Sequence, residues 1–185
     1  GIAFADAGSR PSVRQFFEEW GARTAVINGL AVGSISHDVG TRLVLTGGSV
    51  GLTPDLPTRL AAAQGGGLAV PHAVVGGPNF AGDLGGLVLR FDETLLAAAR
   101  GERPVLRDEA RDARIRAYLD AEAAASDDAS YAEWAEAAAR QPTLREFASG
   151  FRGGLGSEAD RVRLIASLFS QGLSRSAVLK GSVPQ

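Results

Sequence analysis

The sequence predicts an α/β protein with a mainly parallel sheet. Three apolar runs, residues 24–32, 68–75 and 174–179, have the composition of buried strands. Each follows a stretch of helical periodicity, and glycine-rich turns separate the two textures. A helix feeding a buried strand is half of an α/β unit, and repeating that unit along a chain is the signature of a parallel sheet. At 185 residues the chain is long enough to bury one real core.

The first helix rests on Val13, Phe16, Phe17 and Trp20, which share one face at i, i+3, i+4 and i+7. Pro11 suits its first turn, Ser9 or Ser12 its cap and Gly21 its end. Residues 24–32 (T-A-V-I-N-G-L-A-V) then read as a strand; the competing reading is a hairpin turning at Asn28-Gly29. Asp38 is placed to cap a short helix over 39–46, closed by Gly47. Thr53-Pro54-Asp55 opens the next helix, with a cap residue, a first-turn proline and an acid, and it runs to about Gln64. The strand over 68–75 contains Pro71, which cannot donate to a ladder and so requires an edge position or a late start.

From Asp92 to Gly150 alanine and charge replace the β-branched runs. Helices are predicted over 93–100, 107–125, 129–140 and 143–150, as an insertion on the α/β core. Within it Ile115, Tyr118 and Leu119 form a narrow apolar stripe, and Asp112 with Arg116 is spaced as an i,i+4 ion pair. The acids between Asp108 and Glu136 read as a solvated helix face. The last helix, 158–171, presents Val162, Ile165, Leu168 and Phe169, with Gly172 past its end. The whole reads as one domain: an α/β core segment over 1–91, a helical insertion or cap over 92–150, and a second core segment over 151–185.

Composition excludes several function classes. A net charge of −2 gives no field that favours nucleic acid or an anionic membrane. No apolar run approaches the roughly 20 residues needed to span a bilayer. Cysteine is absent, which removes disulfides, thiolate metal sites and a cysteine nucleophile. Methionine is absent too, so the chain is expected to begin after a processing event or to be a piece of something longer, with any targeting segment already removed.

The densest chemistry lies at residues 34–47, S-I-S-H-D-V-G-T-R-L-V-L-T-G, just past the first predicted strand. In open α/β sheets ligands gather outside the carboxyl ends of strands. His37 is flanked there by Ser36 and Asp38. Arg42 follows Asp38 by one turn, spaced either to pair with it or to meet an anionic substrate through two N–H donors. His72 lies inside an apolar strand and reads as a packed side chain. These two distant histidines do not make a histidine-rich zinc centre. Residues 47–51 match G-x-S-x-G, but the segment before them looks helical and Pro54 delays the helix after them, so no nucleophile elbow is expected. Residues 154–159 match G-x-G-x-x-A without the preceding strand or the later acid of a dinucleotide site, and no P-loop pattern occurs.

Asn28-Gly29-Leu30, Ser36-His37-Asp38 with Gly40-Thr41-Arg42, and Leu45-Thr46-Gly47 resemble an exported bacterial family, catalogued as domain of unknown function 1501, in the sulfatase and alkaline-phosphatase superfamily. The helix at Pro57 to Leu60, Val70-Pro71-His72 with its Gly-Gly loop, the helical insertion and Phe169-Ser170-Gln171-Gly172 follow in that family's order, so the resemblance covers nearly the whole chain. It implies an alkaline-phosphatase-like sheet with helices on both faces and a periplasmic or extracellular location. It also implies metal-dependent hydrolysis of phosphoric or sulfuric esters, in which a metal pair polarises the ester and activates an oxygen nucleophile. His37 and Asp38 carry over as catalytic candidates, with His37 orienting substrate or a metal ligand; Ser36 and Arg42 become substrate-binding candidates. The superfamily's first strand, with its metal-binding Asp, and its later Asp and His ligands have no counterpart in this sequence. The resemblance therefore implies an incomplete sheet with open edges, completed by the remainder of the same protein or by another chain. A divalent zinc, calcium or magnesium ion would then be held largely by residues outside this chain. The competing reading is a non-catalytic structural or partner-binding protein on the same fold.

Overall fold

The computed structural model describes residues 8, 11–26, 32–49, 52–102 and 109–181. The chain divides into two compact units, residues 1–35 and 36–185.

The first unit is built on helix α1 (Pro11–Trp20) and a single 3₁₀ turn, Gly21–Arg23. The Thr24 hydroxyl donates to the Trp20 carbonyl at 2.8 Å and closes the end. Phe16 and Phe17 meet edge to face at 5.3 Å, and the Arg23 guanidinium lies 6.0 Å from the Trp20 ring centre. The predicted strand over 24–32 is not seen in its described part: Thr24, Ala25 and Val26 join no sheet, and Val26 is 47% exposed. Residues 27–31, with the alternative turn at Asn28-Gly29, lie outside the described residues.

The second unit contains α2 (His37–Thr46), α3 (Leu56–Gln64), β1 (His72–Val75), β2 (Val88–Arg90), α4 (Glu93–Ala99), α5 (Glu109–Ala125), α6 (Ala129–Gly150), α7 (Glu158–Ser170) and β3 (Ser176–Leu179), with a 3₁₀ stretch, Gly82–Leu87, before β2. The α/β architecture with a parallel sheet is present: three strands in the order β2-β1-β3, all parallel, with His72 opposite Val88 on one side and Ser176 on the other. Pro71 immediately precedes β1, so the late start rather than an edge position accommodates it. β2 has no counterpart in the predicted elements, being three residues long and directly behind Gly85-Gly86.

Helix ends follow side-chain capping. Ser36, not Asp38, caps α2, because its backbone is extended (φ −88°, ψ 124°) and its hydroxyl accepts from Val39 N. Asp38 falls instead in the first turn, where a carboxylate suits the helix dipole. Asp55, not Thr53, caps α3. α6 continues through Pro142, where a break between two helices was expected. Burial on both sides of the proline, at Ala138 and at Phe147 and Ala148, holds the two halves on one axis and outweighs the lost backbone bond.

The core gathers Val70, Ala73 and Val75 around β1 with Phe91, Leu96, Phe147, Leu164 and Leu168. In α7 the inward pair is therefore Leu164 and Leu168; Val162 and Phe169, expected on the buried face, are 48% and 44% exposed. Side chains alternate across a strand. Ala73 and Val75 face this cluster, while His72 faces α3, where Ser176 also reaches the Pro57 carbonyl. Arg100, just past α4, donates to the carbonyls of Ala148, Phe151 and Gly153, and so satisfies acceptors at the end of α6. Asp112 pairs with Arg145 of α6 rather than with Arg116, so this carboxylate joins two helices instead of decorating one. The Arg145 hydrogen bond holds the Asp112 carboxyl below its ordinary pKa.

Candidate functional site

The carboxyl end of β1 runs into Gly76 and Gly77, both at positive φ (75° and 82°), a conformation that glycine adopts without strain. This turn delivers Pro78, Asn79 and Phe80 against α2. Together they form a groove of about 830 Å³ lined by Asp38, Val39, Thr41, Arg42, Ser49, Pro78 and Phe80. The opposite wall is set by the end of α2. Gly47, at φ 76°, turns the chain, and the Thr46 hydroxyl donates to the Arg42 carbonyl and accepts from Gly48 N, which brings Ser49 back to the opening.

The Arg42 guanidinium lies over the Phe80 ring, 4.8 Å from its centre. Phe80 in turn is fixed by Asp55. The Asp55 carboxylate is 1% exposed. It accepts from Phe80 N (2.8 Å), from Asn79 Nδ2 (3.2 Å) and from Thr58 N (2.9 Å). Asp55 N donates back to the Phe80 carbonyl at 2.7 Å, and Asn79 also reaches the Thr58 hydroxyl at 3.1 Å. A carboxylate with this many donors is secured despite its burial. Asp55 thus caps α3 and positions the aromatic wall on which Arg42 rests. Gly82 belongs to the same assembly: a Cβ there would collide with the Leu52 carbonyl oxygen, so the 3₁₀ stretch closes on the chain before α3 only with glycine.

Behind the wall, His72 Nδ1 lies 2.9 Å from the Ser176 hydroxyl, which donates to the Pro57 carbonyl at 2.7 Å. A carbonyl only accepts, so the single hydroxyl proton goes to Pro57 and the Nδ1 proton of the imidazole is donated to Ser176. Nε2 is then a bare acceptor, fully buried and without a partner among the described residues. Burial lowers the His72 pKa below 6.5, against the pull of the Asp55 carboxylate, and so favours the neutral ring.

The structure brings Asp38 and Arg42 together in the groove with Ser49, which the sequence marks only as the middle of a G-x-S-x-G pattern. Val50 and Gly51 of that pattern lie outside the described residues. Ser36 is engaged as the α2 cap, and His37 is exposed at the first position of α2; neither lines the groove. Thr41, Phe80 and the Asp55 support were not foreseen. The sequence signal for Asp55 was a helix start; nothing local marks it as buried.

Among the described residues no group of three or more His, Cys, Asp or Glu side chains is placed to hold a metal ion. One carboxylate, two hydroxyls and a guanidinium form a donor set for a polar or anionic ligand and do not by themselves fit a divalent ion. A second hollow, about 480 Å³, lies at the amino ends of β1 and β3 and includes Glu136 and Arg140, which pair with each other at 3.0 Å. No described helix is long and apolar enough to cross a membrane. Compared with known proteins, the chain matches no family model, no curated protein and no solved structure.

Proposed function

We propose that the chain is part of an exported, alkaline-phosphatase-like hydrolase of phosphoric or sulfuric esters, and that the groove at the carboxyl end of β1 receives the anionic ester. One juxtaposition carries this reading. Arg42, Ser49 and Asp38 meet just past the central strand of a parallel sheet, the place where open α/β folds bind ligands. Arg42, held over Phe80, is the anion-binding group, because a guanidinium matches phosphoryl and sulfuryl oxygens with two donors. Ser49 adds a hydroxyl donor, and Asp38 orients the ester or accepts a proton. His37 and Ser36 stand at the amino end of α2, beside the groove-lining Asp38. A divalent ion, part of this proposal, would be held by residues beyond those described. The outer edges of β2 and β3, without a strand partner among the described residues, are where the remainder of the protein or another chain would extend the sheet.

A non-catalytic role on the same fold is favoured by one observation: neither His37 nor Ser36 lines the groove. Titration calorimetry of the complete protein with inorganic phosphate and sulfate, followed by its turnover of an aryl phosphate and an aryl sulfate with added zinc, calcium or magnesium, separates the readings. Anion binding weakened about tenfold by Arg42→Ala, a loss of about 1.4 kcal/mol, together with ester turnover, supports the hydrolase. Binding without turnover supports the second reading. A folded protein that binds neither anion sinks the hydrolase reading and leaves the second.

A further inference from the structure

Helices α5 and α6 form a hairpin whose tip carries three aromatic rings in contact. Tyr118 meets Tyr131 edge to face at 6.5 Å, and Tyr131 meets Trp134 in the same way at 5.7 Å. Rings packed on one another in this way usually sit in a core, yet Tyr118 is 55% and Trp134 56% exposed. The charge around them has one sign. Between Arg116 and Arg140 the chain holds Asp120, Glu122, Asp127, Asp128, Glu133 and Glu136 and not one lysine or arginine. Asp128 is engaged as the α6 cap and Glu136 with Arg140. Glu122 acts electrostatically on Tyr118, one helical turn away, and Asp120, Asp127 and Glu133 are exposed on the same hairpin.

A merely solvated helix face needs no aromatic triad with two of its rings exposed. Its rings offer π faces and its surroundings offer carboxylates, and the chemistry that satisfies both at once is a guanidinium, which stacks on Tyr and Trp while donating N–H bonds to carboxylates. We propose that the tip of the α5–α6 hairpin is a docking surface for an arginine-rich segment of a partner protein. The concentrated negative charge opposes nucleic acid and anionic lipid. It also opposes a tip-to-tip pairing of two copies, which would set like charges against each other.

The test is fluorescence anisotropy of a labelled peptide of alternating arginine and glycine, titrated with the full chain. Controls are a glutamate–glycine peptide, a single-stranded oligonucleotide and phosphatidylserine vesicles. The expected result is saturable binding of the arginine peptide alone. It should weaken at least tenfold in Tyr118→Ala/Trp134→Ala and, separately, in Glu122→Gln/Asp127→Asn. The variant Tyr118→Phe/Trp134→Phe keeps the rings and the packing, so it should retain affinity within about threefold and guards against a folding artefact. Unchanged affinity in the alanine or the neutralised variant overturns the proposal, as does preferential binding of the oligonucleotide or vesicles, or self-association of the chain that these substitutions abolish.

Discussion

Ala73 and Val75 point into a cluster with Leu96, Phe147, Leu164 and Leu168, whereas His72, one residue away on the same strand, points at α3 and hydrogen-bonds through Ser176 to Pro57. On the first face the interaction is area. It is non-directional, and any well-packed apolar side chain serves it. On the second face the interaction is geometry. Each donor has one acceptor, Asp55 links α3 to the loop after β1, and that loop carries the Phe80 wall under Arg42. One face of the sheet holds the unit together, and the other aims the groove.

Substitutions on the two faces should therefore fail differently. The largest loss is expected from Leu164→Ala, where a fully buried side chain leaves a cavity: about 3 kcal/mol, read as a lower denaturation midpoint, with phosphate affinity of the folded fraction unchanged. Asp55→Ala should cost about 2 kcal/mol, because it orphans buried donors from Thr58, Phe80 and Asn79, and it should also weaken phosphate binding by releasing Phe80. Asp92→Ala removes an exposed cap of the same type from α4, a single bond to Leu95 N, so about 1 kcal/mol and no change in binding are expected. Equal losses for the two caps would erase the distinction between the faces.

Acid should act on the polar face. The folded-state pKa of His72 is lowered, burial being the larger cause, so below about pH 6.5 the unfolded chain takes up a proton that the folded chain refuses. This contribution is intact above pH 6.5 and is lost as pH falls towards the lower folded value. Denaturation midpoints at pH 7.5 and at about pH 5.5 should show the decline, and His72→Asn should flatten it. An unaltered slope in that variant would assign the acid sensitivity to other groups. The smallest stability effect is expected for Phe80→Leu, under about 1 kcal/mol because the side chain is only half buried. Its phosphate affinity should nonetheless fall as Arg42 loses its ring.

The apolar face was more legible in the sequence than the polar one. Helical periodicity found most helices, and the run ending at Val75 found β1, because area-driven elements advertise themselves in composition. The inward edge of α7 was misjudged, since Val162, Leu164, Ile165, Leu168 and Phe169 supply apolar residues on more than one side and only the sheet decides which is covered. A local rule that ends a helix before Pro142 cannot see the burial of Phe147. Loop context marks Asp38 and Arg42 in the sequence, and both line the groove. Asp55 and Phe80, 25 residues apart, join through a backbone bond that no spacing rule reveals.

The two ends of the sheet differ in where an anion should bind. Phosphate titration of the full chain, followed through the side-chain Nε–H signals of its arginines by NMR, reports each candidate hollow separately. The predicted result is a saturable shift of Arg42, moved to higher phosphate concentration by Asp55→Ala in protein that remains folded. A shift of Arg140 at the opposite end of the sheet, with Arg42 unmoved, would contradict it.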